Sequence, residues 1–406
     1  MTSFATEFLG CKVSMTDAQQ IRERLAEDGH REEAPDRARV RVVNTCCVTA
    51  EAVAKSRKAV RRAARAAEQV YVTGCAAALE GAFDGIGERV TVIGARSDQV
   101  AERVSTGIGG LGCVGGEQLP FARTRAYVKI QDGCSFGCSY CVIPQVRGAS
   151  RSRTADAVLR EAERRAGQGH RELVLTGVNL GCFRDRAAGV DLAGLLEAVA
   201  AVPGVGRVRL SSIEVNHLSD RLLRTIAATG GVARHLHVPM QSGCDDVLRS
   251  MRRRYDAAGF VAKMMRAREL VDGVNLTTDV IVGHPSEDDA AFEQTLRAVR
   301  AAGFTKVHVF PYSPRPGTRD AGDDAVPAAD KRRRSQRLRR LSDAQGARHR
   351  AAKVGRRERV LVETGEGRGY CDDYTPFIVE GAAVGEMVEA VALSADGAAV
   401  RATLSI

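Results

Sequence analysis

Two kinds of segment are missing from this 406-residue chain: a membrane-spanning run and a secretory leader. Eighteen consecutive apolar residues occur nowhere in it, whereas a transmembrane helix needs about twenty. The first 25 residues hold no basic stretch followed by an apolar one, so we expect no signal peptide. We therefore expect a cytoplasmic protein that does not enter a membrane.

Cysteine, by contrast, is plentiful and unevenly placed. The chain has 11 cysteines, an odd number, and Cys134, Cys138 and Cys141 lie within eight residues. The cytosol keeps thiols reduced, so disulfides do not explain them. Closely spaced cysteines in such a protein predict metal ligation, whereas isolated ones are more often small core residues.

Positive charge is concentrated in one stretch. The formal net charge is +10, yet residues 331–359 hold thirteen Lys or Arg and only two acids, a local charge of +11. The remainder is therefore close to neutral, and the stretch predicts a surface for a polyanion such as RNA. The alternative is a solvated amphipathic helix that turns Leu338 and Leu341 toward a core.

Strands and helices alternate over residues 1–104, a pattern typical of parallel strands with crossover helices. We predict a Rossmann-like α/β domain with strands at residues 4–10, 40–44, 70–73 and 90–93, and helices at residues 18–28 and 52–67. Cys11, Cys46 and Cys75 each follow one of the first three strands. The carboxyl ends of parallel strands line one crevice, so we expect these cysteines to meet.

The rest of the chain predicts four more segments. Residues 105–124 are rich in glycine and predict a linker, which carries Cys113. Residues 125–330 predict a partial (β/α)6 barrel of the TIM type, with ligand groups at the carboxyl ends of its strands. Residues 331–358 predict a basic helical connector, and residues 359–406 a small all-β barrel. The predicted (β/α) strands are residues 126–131, 172–176, 207–211, 235–239, 276–282 and 306–310.

The close cysteine triad follows the first predicted strand of the (β/α) barrel. Three thiolates can hold an iron–sulfur cluster and leave one iron open to chelate a small molecule. A zinc site needs a fourth ligand at close spacing, and the next cysteine, Cys182, is 41 residues on. The triad therefore predicts an iron–sulfur cluster.

The Cys-x3-Cys-x2-Cys spacing after a first barrel strand resembles the radical S-adenosylmethionine (radical SAM) superfamily. The resemblance implies a 4Fe-4S cluster on Cys134, Cys138 and Cys141, with Tyr140 against the adenine of the cofactor. It also implies that S-adenosylmethionine binds the open iron and that one electron splits its sulfonium bond. The resulting 5′-deoxyadenosyl radical abstracts hydrogen from an unreactive carbon.

Other polar residues follow later barrel strands. Asn179, Glu214 and Gln241 are the further contacts that we expect for S-adenosylmethionine. His235 and His237 alternate along one predicted strand, and we interpret them as hydrogen-bonded structural residues.

Further motifs resemble the methylthiotransferases over nearly the whole chain. Residues 9–13, 44–49 and 73–75 resemble their amino-terminal domain, which implies a second 4Fe-4S cluster on Cys11, Cys46 and Cys75. Its free iron would present the sulfur to be inserted. Residues 369–374 resemble the TRAM domain, a small RNA-binding β-barrel. No role follows for Cys47, Cys113, Cys182, Cys244 and Cys371.

The Gly-Cys-Lys-Val and Thr-Cys-x-Val-Thr pieces resemble most the subgroup that methylthiolates N6-threonylcarbamoyladenosine in tRNA. The resemblance implies attack on carbon 2 of that base, with a tRNA anticodon stem-loop as partner, an electron donor such as flavodoxin or ferredoxin, and a monomer. Sister subgroups act on isopentenyladenosine in tRNA or on an aspartate of a ribosomal protein. A non-catalytic iron–sulfur RNA-binding protein is the alternative from another class.

Overall fold

The structure, a computed structural model, describes residues 2–95, 97–108 and 124–405. Cys113 and most of the predicted linker lie outside these residues. The described chain is α/β up to residue 351 and all-β beyond it. None of its helices is both long and apolar enough to span a bilayer.

The amino-terminal part is a parallel five-stranded sheet in the order β2-β1-β3-β4-β5. Its strands are β1 Ser3–Phe8, β2 Arg31–Glu32, β3 Val40–Thr45, β4 Gln69–Gly74 and β5 Val90–Gly94. Its helices are α1 Lys12–Glu27, α2 Ala50–Ala66 and α3 Ser97–Gly107. The four predicted strands and two predicted helices are confirmed, while β2 and α3 are additional.

Helix α1 begins six residues before the predicted start, directly after Cys11. Ser14, Thr16 and Asp17 in its first turns are polar and yet buried. Hydrophobic periodicity marks a helix only where its buried face is apolar. The first turns of α1 bury Val13 and Met15 among these polar residues, so the apolar signal of these turns in the sequence is weak.

The middle of the chain contains ten strands, of which six match the prediction. They are β6 Arg125–Lys129, β7 Gln131–Asp132, β8 Arg151–Ser152, β9 Glu172–Thr176, β10 Arg184–Asp185, β11 Val190–Asp191, β12 Arg207–Leu210, β13 His235–His237, β14 Asn275–Val282 and β15 Lys306–Pro311. The accompanying helices are α4 Ile143–Arg147, α5 Ala155–Gly167, α6 Leu192–Ala200, α7 Asp220–Ala228, α8 Asp245–Ser250, α9 Ala257–Leu270, α10 Asp289–Ala302 and α11 Ala328–Ala351. Three short 3-10 helices are Cys75–Ala78, Leu180–Cys182 and Val215–His217.

The six strands that match the prediction form two parallel sheets rather than one continuous ladder. The orders are β12-β9-β6 and β13-β14-β15, and isolated parallel bridges, such as Ser212 to His237, join them. β13 has three residues instead of the predicted five because Pro239, which has no N–H to donate, follows closely. One large apolar core lies between these strands and their helices.

The last strands form a closed five-stranded barrel, as the alternating runs predict. They are β16 Arg357–Val362, β17 Arg368–Cys371, β18 Pro376–Glu380, β19 Met387–Ala395 and β20 Val400–Leu404. The barrel order is β16-β17-β18-β20-β19. Closure leaves no free sheet edge.

Helix α11 carries the basic stretch and packs on β15 and α10. Leu338 is fully buried, so the amphipathic interpretation of this helix is right for its inner face. Arg333 and Arg334 pair with Asp289 at 3.0 and 2.9 Å. Part of the basic charge is thus neutralised inside the fold. Four arginines of α11 remain exposed and form no ion pair among the described residues: Arg332, Arg339, Arg340 and Arg348.

Candidate functional site

The close cysteine triad lies on the loop after β6 and β7. Gly133 has φ +69° and donates its N–H to Asp132 Oδ1 at 2.7 Å. A Cβ at this position would overlap the backbone oxygen of Ala149, so only glycine fits the turn that begins the loop. Within it, Cys141 N–H donates to the carbonyl oxygen of Cys138 at 3.2 Å.

The three thiols of the triad lie close enough to influence one another. Burial raises the pKa of Cys141 to about 12, and the neighbouring Cys138 and Cys134 add to the shift. Burial also raises the pKa of Cys134. The site thus disfavours isolated thiolates, and a bound metal centre is what would hold these sulfurs in the ionised form.

A buried arginine that the sequence did not single out contacts this triad. Arg253 Nη1 donates to Cys138 Sγ at 3.2 Å, and its Nη2 pairs with Glu214. The guanidinium lies 5.0 Å from the ring centroid of Tyr255. Glu214, an expected S-adenosylmethionine contact, is therefore held beside the triad by Arg253. Most arginines lie on protein surfaces, so nothing in the sequence indicated that Arg253 is buried beside the triad.

The structure describes the other three expected cofactor contacts in different ways. Asn179 is buried, and its Nδ2 lies 3.9 Å from Cys134 Sγ. Its Oδ1 has no hydrogen-bond partner among the residues that the structure describes. Gln241 is half-buried with φ +65°, an unusual backbone for a residue other than glycine. Tyr140 packs beside Cys244 and Met251. An unpartnered buried amide oxygen and a strained polar residue are typical of ligand sites.

The three distant cysteines also meet, as the strand-end argument predicts. Cys11 follows β1, Cys46 follows β3 and Cys75 follows β4. Burial raises the pKa of Cys46 to about 11, and the nearby sulfurs of Cys75 and Cys11 contribute. Gly10, at φ +120°, brings its backbone so close to Cys46 that an added Cβ would lie 2.8 Å from Cys46 Cβ.

Cys47 differs from its neighbour Cys46. It is fully buried, packs in the apolar core of the amino-terminal sheet and is hydrogen-bonded to Cys75. The hydrogen bond from Cys47 lowers the pKa of Cys75, and the Arg147 guanidinium lowers it further. The structure thus gives Cys47 the place of a supporting core thiol beside the three cysteines at the strand ends.

Arg147, which the sequence did not single out either, connects the surroundings of the two triads. This buried side chain from α4 donates from Nε to Cys75 Sγ at 3.1 Å. Its other nitrogens pair with Asp17 at 2.7 Å and with Asp132 at 3.0 Å. Lys129 completes the group with a 2.5 Å contact to Asp17. One network of charged side chains thereby runs from Cys75 of one triad to Asp132, two residues before Cys134 of the other.

Neither triad has the geometry of a site for a single ion. Among the described residues, potential metal-ligand atoms lie within 4.8 Å of one another at His237, Asp279 and His308. The cysteines of the two triads do not form such a group there. A cubane distributes its thiolates over separate irons, so its cysteines need not converge on one point.

His237 and Asp279 face the space enclosed by the two middle sheets, which we call the lumen. His237 Nε2 lies 3.1 Å from Asp279 Oδ1, and its Nδ1 lies 2.9 Å from Thr277 Oγ1. His235 also bonds Thr277, at 3.0 Å. Both histidines are hydrogen-bonded, as the sequence interpretation proposed.

The carboxy-terminal barrel closes the lower end of the lumen. Tyr374, at φ +70°, inserts its ring between two guanidinium groups, 4.7 Å from Arg209 and 5.4 Å from Arg125. Glu172, fully buried, pairs with Arg209 at 2.9 Å and with Arg207. Residues of the 369–374 segment therefore dock the last barrel onto the amino ends of the middle strands.

Three further cysteines lie away from both triads or at their margins. Cys182 Sγ lies 3.4 Å from His217 Nε2, and Cys244 is buried in a small apolar cluster. Cys371 is fully buried and donates to Asp373 Oδ1 at 2.8 Å. Each therefore has a local packing or hydrogen-bonding role.

Comparison with known proteins places this arrangement in a family. Residues 128–299 match the profile described as the radical SAM superfamily, and residues 3–92 match the uncharacterized protein family UPF0004. The chain is 32% identical over 403 residues to the threonylcarbamoyladenosine tRNA methylthiotransferase MtaB of Thermotoga maritima, covering 96% of this chain and 93% of that protein. The chain belongs to the radical SAM methylthiotransferase family.

Two other likenesses extend this result. A tRNA-2-methylthio-N(6)-dimethylallyladenosine synthase of Desulfitobacterium hafniense is 31% identical and covers 94% of this chain and 92% of that protein. The radical S-adenosylmethionine methyltransferase TsrM of Kitasatospora setae is a solved structure with a TM-score of 0.57 at 15% identity, covering 79% of this chain and 77% of that one. The latter shows that this methylthiotransferase-family chain has a radical SAM fold.

Proposed function

We propose that this chain is a tRNA methylthiotransferase that adds a methylthio group to carbon 2 of N6-threonylcarbamoyladenosine next to the anticodon. The observation that carries the proposal is the pair of cysteine triads with Arg147 between their surroundings, in contact with Cys75 at 3.1 Å and with Asp132, just before the close triad, at 3.0 Å. Similarity over nearly the full length to a relative named for this activity supports the same conclusion.

We assign a 4Fe-4S cluster to each triad. Cys134, Cys138 and Cys141 would hold the radical SAM cluster, and the strand-end cysteines would hold the second: Cys11, Cys46 and Cys75. Within the described part of the chain, the thiols of each triad lie close without converging on one point, and Asn179 Oδ1 is buried near Cys134 without a partner, so the residues fit such groups.

When bound, two clusters and S-adenosylmethionine would supply hydrogen abstraction, sulfur insertion and the methyl group. The chain's own residues would position these reactants. Glu214, fixed by Arg253, would accept hydrogen bonds from the amino group of S-adenosylmethionine, and Asn179 and Gln241 would contribute further polar contacts. Tyr140 would lie against its adenine. The lumen and the amino-terminal sheet together would exclude water from the reacting atoms.

The same proposal assigns the larger parts of the fold. Residues 1–104 would form the methylthiotransferase amino-terminal domain of Rossmann-like type, and residues 125–330 the TIM-type partial (β/α)6 barrel. Residues 105–124 would be a linker, residues 331–358 a basic connector and residues 359–406 a TRAM domain. The closed five-stranded barrel and its Gly-Tyr-Cys-Asp-Asp-Tyr segment support the last assignment.

The RNA partner would be an anticodon stem-loop whose target base is unstacked into the site. The exposed arginines of α11, Arg339 and Arg340 among them, would contact its phosphates. We further expect a cytoplasmic monomer that receives electrons from a flavodoxin or a ferredoxin.

Anaerobic reconstitution followed by iron counting and mass analysis of tRNA nucleosides tests the proposal. About eight irons and 2-methylthio-N6-threonylcarbamoyladenosine are expected. Cys46→Ala should lose about four irons, whereas Cys47→Ala, its adjacent control, should keep all eight. An active preparation that leaves threonylcarbamoyladenosine unmodified would contradict the substrate.

Isopentenyladenosine is the second candidate substrate, because the relative from Desulfitobacterium is named for the dimethylallyl form of that base. The mass analysis separates the two products directly. A preparation with two clusters that neither cleaves S-adenosylmethionine nor modifies tRNA would instead indicate a non-catalytic RNA-binding protein.

A further inference from the structure

The lumen is lined by polar and ionisable side chains on the face opposite the apolar core. Leu236, Leu276 and Val307 turn outward into that core. Side chains alternate between the two faces of a sheet. The neighbours of these residues in the same strands therefore point their side chains into the lumen. These lumen residues are His235, His237, Thr277, Asp279 and His308.

Lys12 extends into this lumen from the first turn of α1, one residue after Cys11. Its ammonium interacts electrostatically with Tyr374, Arg125, Arg209 and Glu172 on the lower wall. His235 and His308 also experience its charge. Lys12 is nevertheless exposed to water. Lys12 therefore borders the lower wall of the lumen at a place that water reaches.

The charged neighbours of Lys12 are already paired. Glu172 accepts from Arg209 at 2.9 Å and also pairs with Arg207. Asp279 contacts His237 at 3.1 Å. Lys12 itself, by contrast, forms no ion pair and no hydrogen bond with any described residue. It is thus the cation of the lumen that has no anionic partner within the part of the chain that the structure describes.

Helix stability does not account for this lysine. The amino end of a helix carries partial positive charge, which disfavours a cation at its first position. The first turn of α1 holds no acidic residue that would compensate. Arg125 and Arg209 make the surroundings of Lys12 less favourable for a cation, and Glu172, which acts in the opposite direction, is already paired, so an anion from outside the chain would be favourable beside this ammonium.

We infer that Lys12 binds the carboxylate of the N6-threonylcarbamoyl group and thereby selects this base, an inference that rests on the proposed function. Lys12 adjoins Cys11 of the second triad, so its side chain starts where the sulfur donor would lie. An adenine held between the triads would direct its N6 substituent into the lumen. Of the two candidate substituents, only threonylcarbamoyl carries a negative charge.

The polar lining discriminates against the rival base for the same reason. An isopentenyl group would cover Lys12 and His308 without offering either of them a hydrogen bond. Sites built to bind a polar group reject an apolar analogue strongly, because their own polar atoms are left unpaired. The threonylcarbamoyl group offers carboxylate, hydroxyl and urea oxygens to the same side chains.

The test compares two anticodon stem-loops on the anaerobically reconstituted protein, one with threonylcarbamoyladenosine and one with its neutral carboxamide. Dissociation constants are measured for the wild type, Lys12→Gln, Lys12→Arg and Lys263→Gln. Lys263 is a matched control because it lies exposed on the outer helix α9. Iron is counted in each variant, since Lys12 is next to Cys11.

The wild type and Lys263→Gln should bind the acid about ten- to a hundred-fold more tightly than the amide, the range for a charge-assisted hydrogen bond. Lys12→Gln should bind both within about three-fold, and Lys12→Arg should restore part of the preference. A wild type that binds acid and amide equally overturns the inference, as does a preference that survives in Lys12→Gln. If the wild type modifies neither stem-loop while cleaving S-adenosylmethionine, the proposed function fails instead.

Discussion

Replacing Glu172 with Gln should destabilise the protein by several kcal/mol. Glu172 is fully buried at the amino end of β9, and it neutralises Arg207 and Arg209, which are 0% and 1% exposed. Those two arginines also bond the carboxy-terminal barrel, through Asp372 Oδ1 at 2.6 Å and the Cys371 carbonyl at 3.1 Å. Removing the carboxylate leaves the two buried arginines without the negative charge of Glu172, at the interface between the middle strands and the carboxy-terminal barrel.

Two routes give a similar magnitude. Burial acts to raise the pKa of Glu172, but Arg209 and Arg207 more than offset it and lower the pKa from 4.5 to about 2. At about 1.4 kcal/mol per pKa unit, this shift corresponds to roughly 3 kcal/mol. Removal of one partner from a buried ion pair costs about 3–5 kcal/mol in other proteins. We expect Glu172→Gln to lose about 3 kcal/mol at pH 7.

Anaerobic urea unfolding followed by circular dichroism measures this loss, with Glu163→Gln on the exposed face of α5 as control. The control should change the free energy of unfolding by less than about 0.5 kcal/mol. Because the folded pKa of Glu172 lies below its ordinary value, the stabilisation is complete above about pH 4.5 and is lost as the pH falls toward 2. The difference between wild type and Glu172→Gln should therefore shrink over that window. A loss below about 1 kcal/mol at pH 7, or a difference that does not change with pH, would refute the electrostatic explanation.

Three other substitutions probe separate parts of the molecule. Gly133→Ala should lower the free energy of unfolding by about 1–3 kcal/mol in thermal or urea melts, because φ is +69° and the added Cβ meets backbone atoms; Gly230→Ala, with open space around it, should change it by less than about 1 kcal/mol. Arg339→Glu combined with Arg340→Glu should weaken tRNA binding and reduce the slope of log affinity against log salt by about 1.5, measured by titration at several salt concentrations. An unchanged slope would remove α11 from the RNA surface. Arg253→Lys keeps the charge but cannot donate to both Cys138 and Glu214, so equilibrium dialysis should show S-adenosylmethionine binding at least about ten-fold weaker; equal affinity would mean that Arg253 does not position the site.

Local spacing and strand-end position were enough to find both triads from the sequence. Cys134, Cys138 and Cys141 are close along the chain, and parallel strands necessarily bring Cys11 and Cys46 to one edge of their sheet. The six strands of the two middle sheets were predictable because short β-branched and apolar segments alternate there with helical stretches, although polar residues such as Thr277 and Asp279 interrupt them. The all-β ending was predictable from its alternating runs.

Tertiary structure alone decided which charged residues serve the site. Arg147, Arg253 and Lys12 are ordinary basic residues in the sequence, and only packing places two of them in buried contact with cysteine sulfur and the third in the lumen. A charge has no periodicity, so no sequence pattern says whether it faces water or a buried partner. The sequence thus determined the family's two sets of thiols and the positions of the main strands along the chain. The structure decided how the two triads are joined and which cation is left free to bind a substrate, because both depend on contacts between residues far apart in the chain.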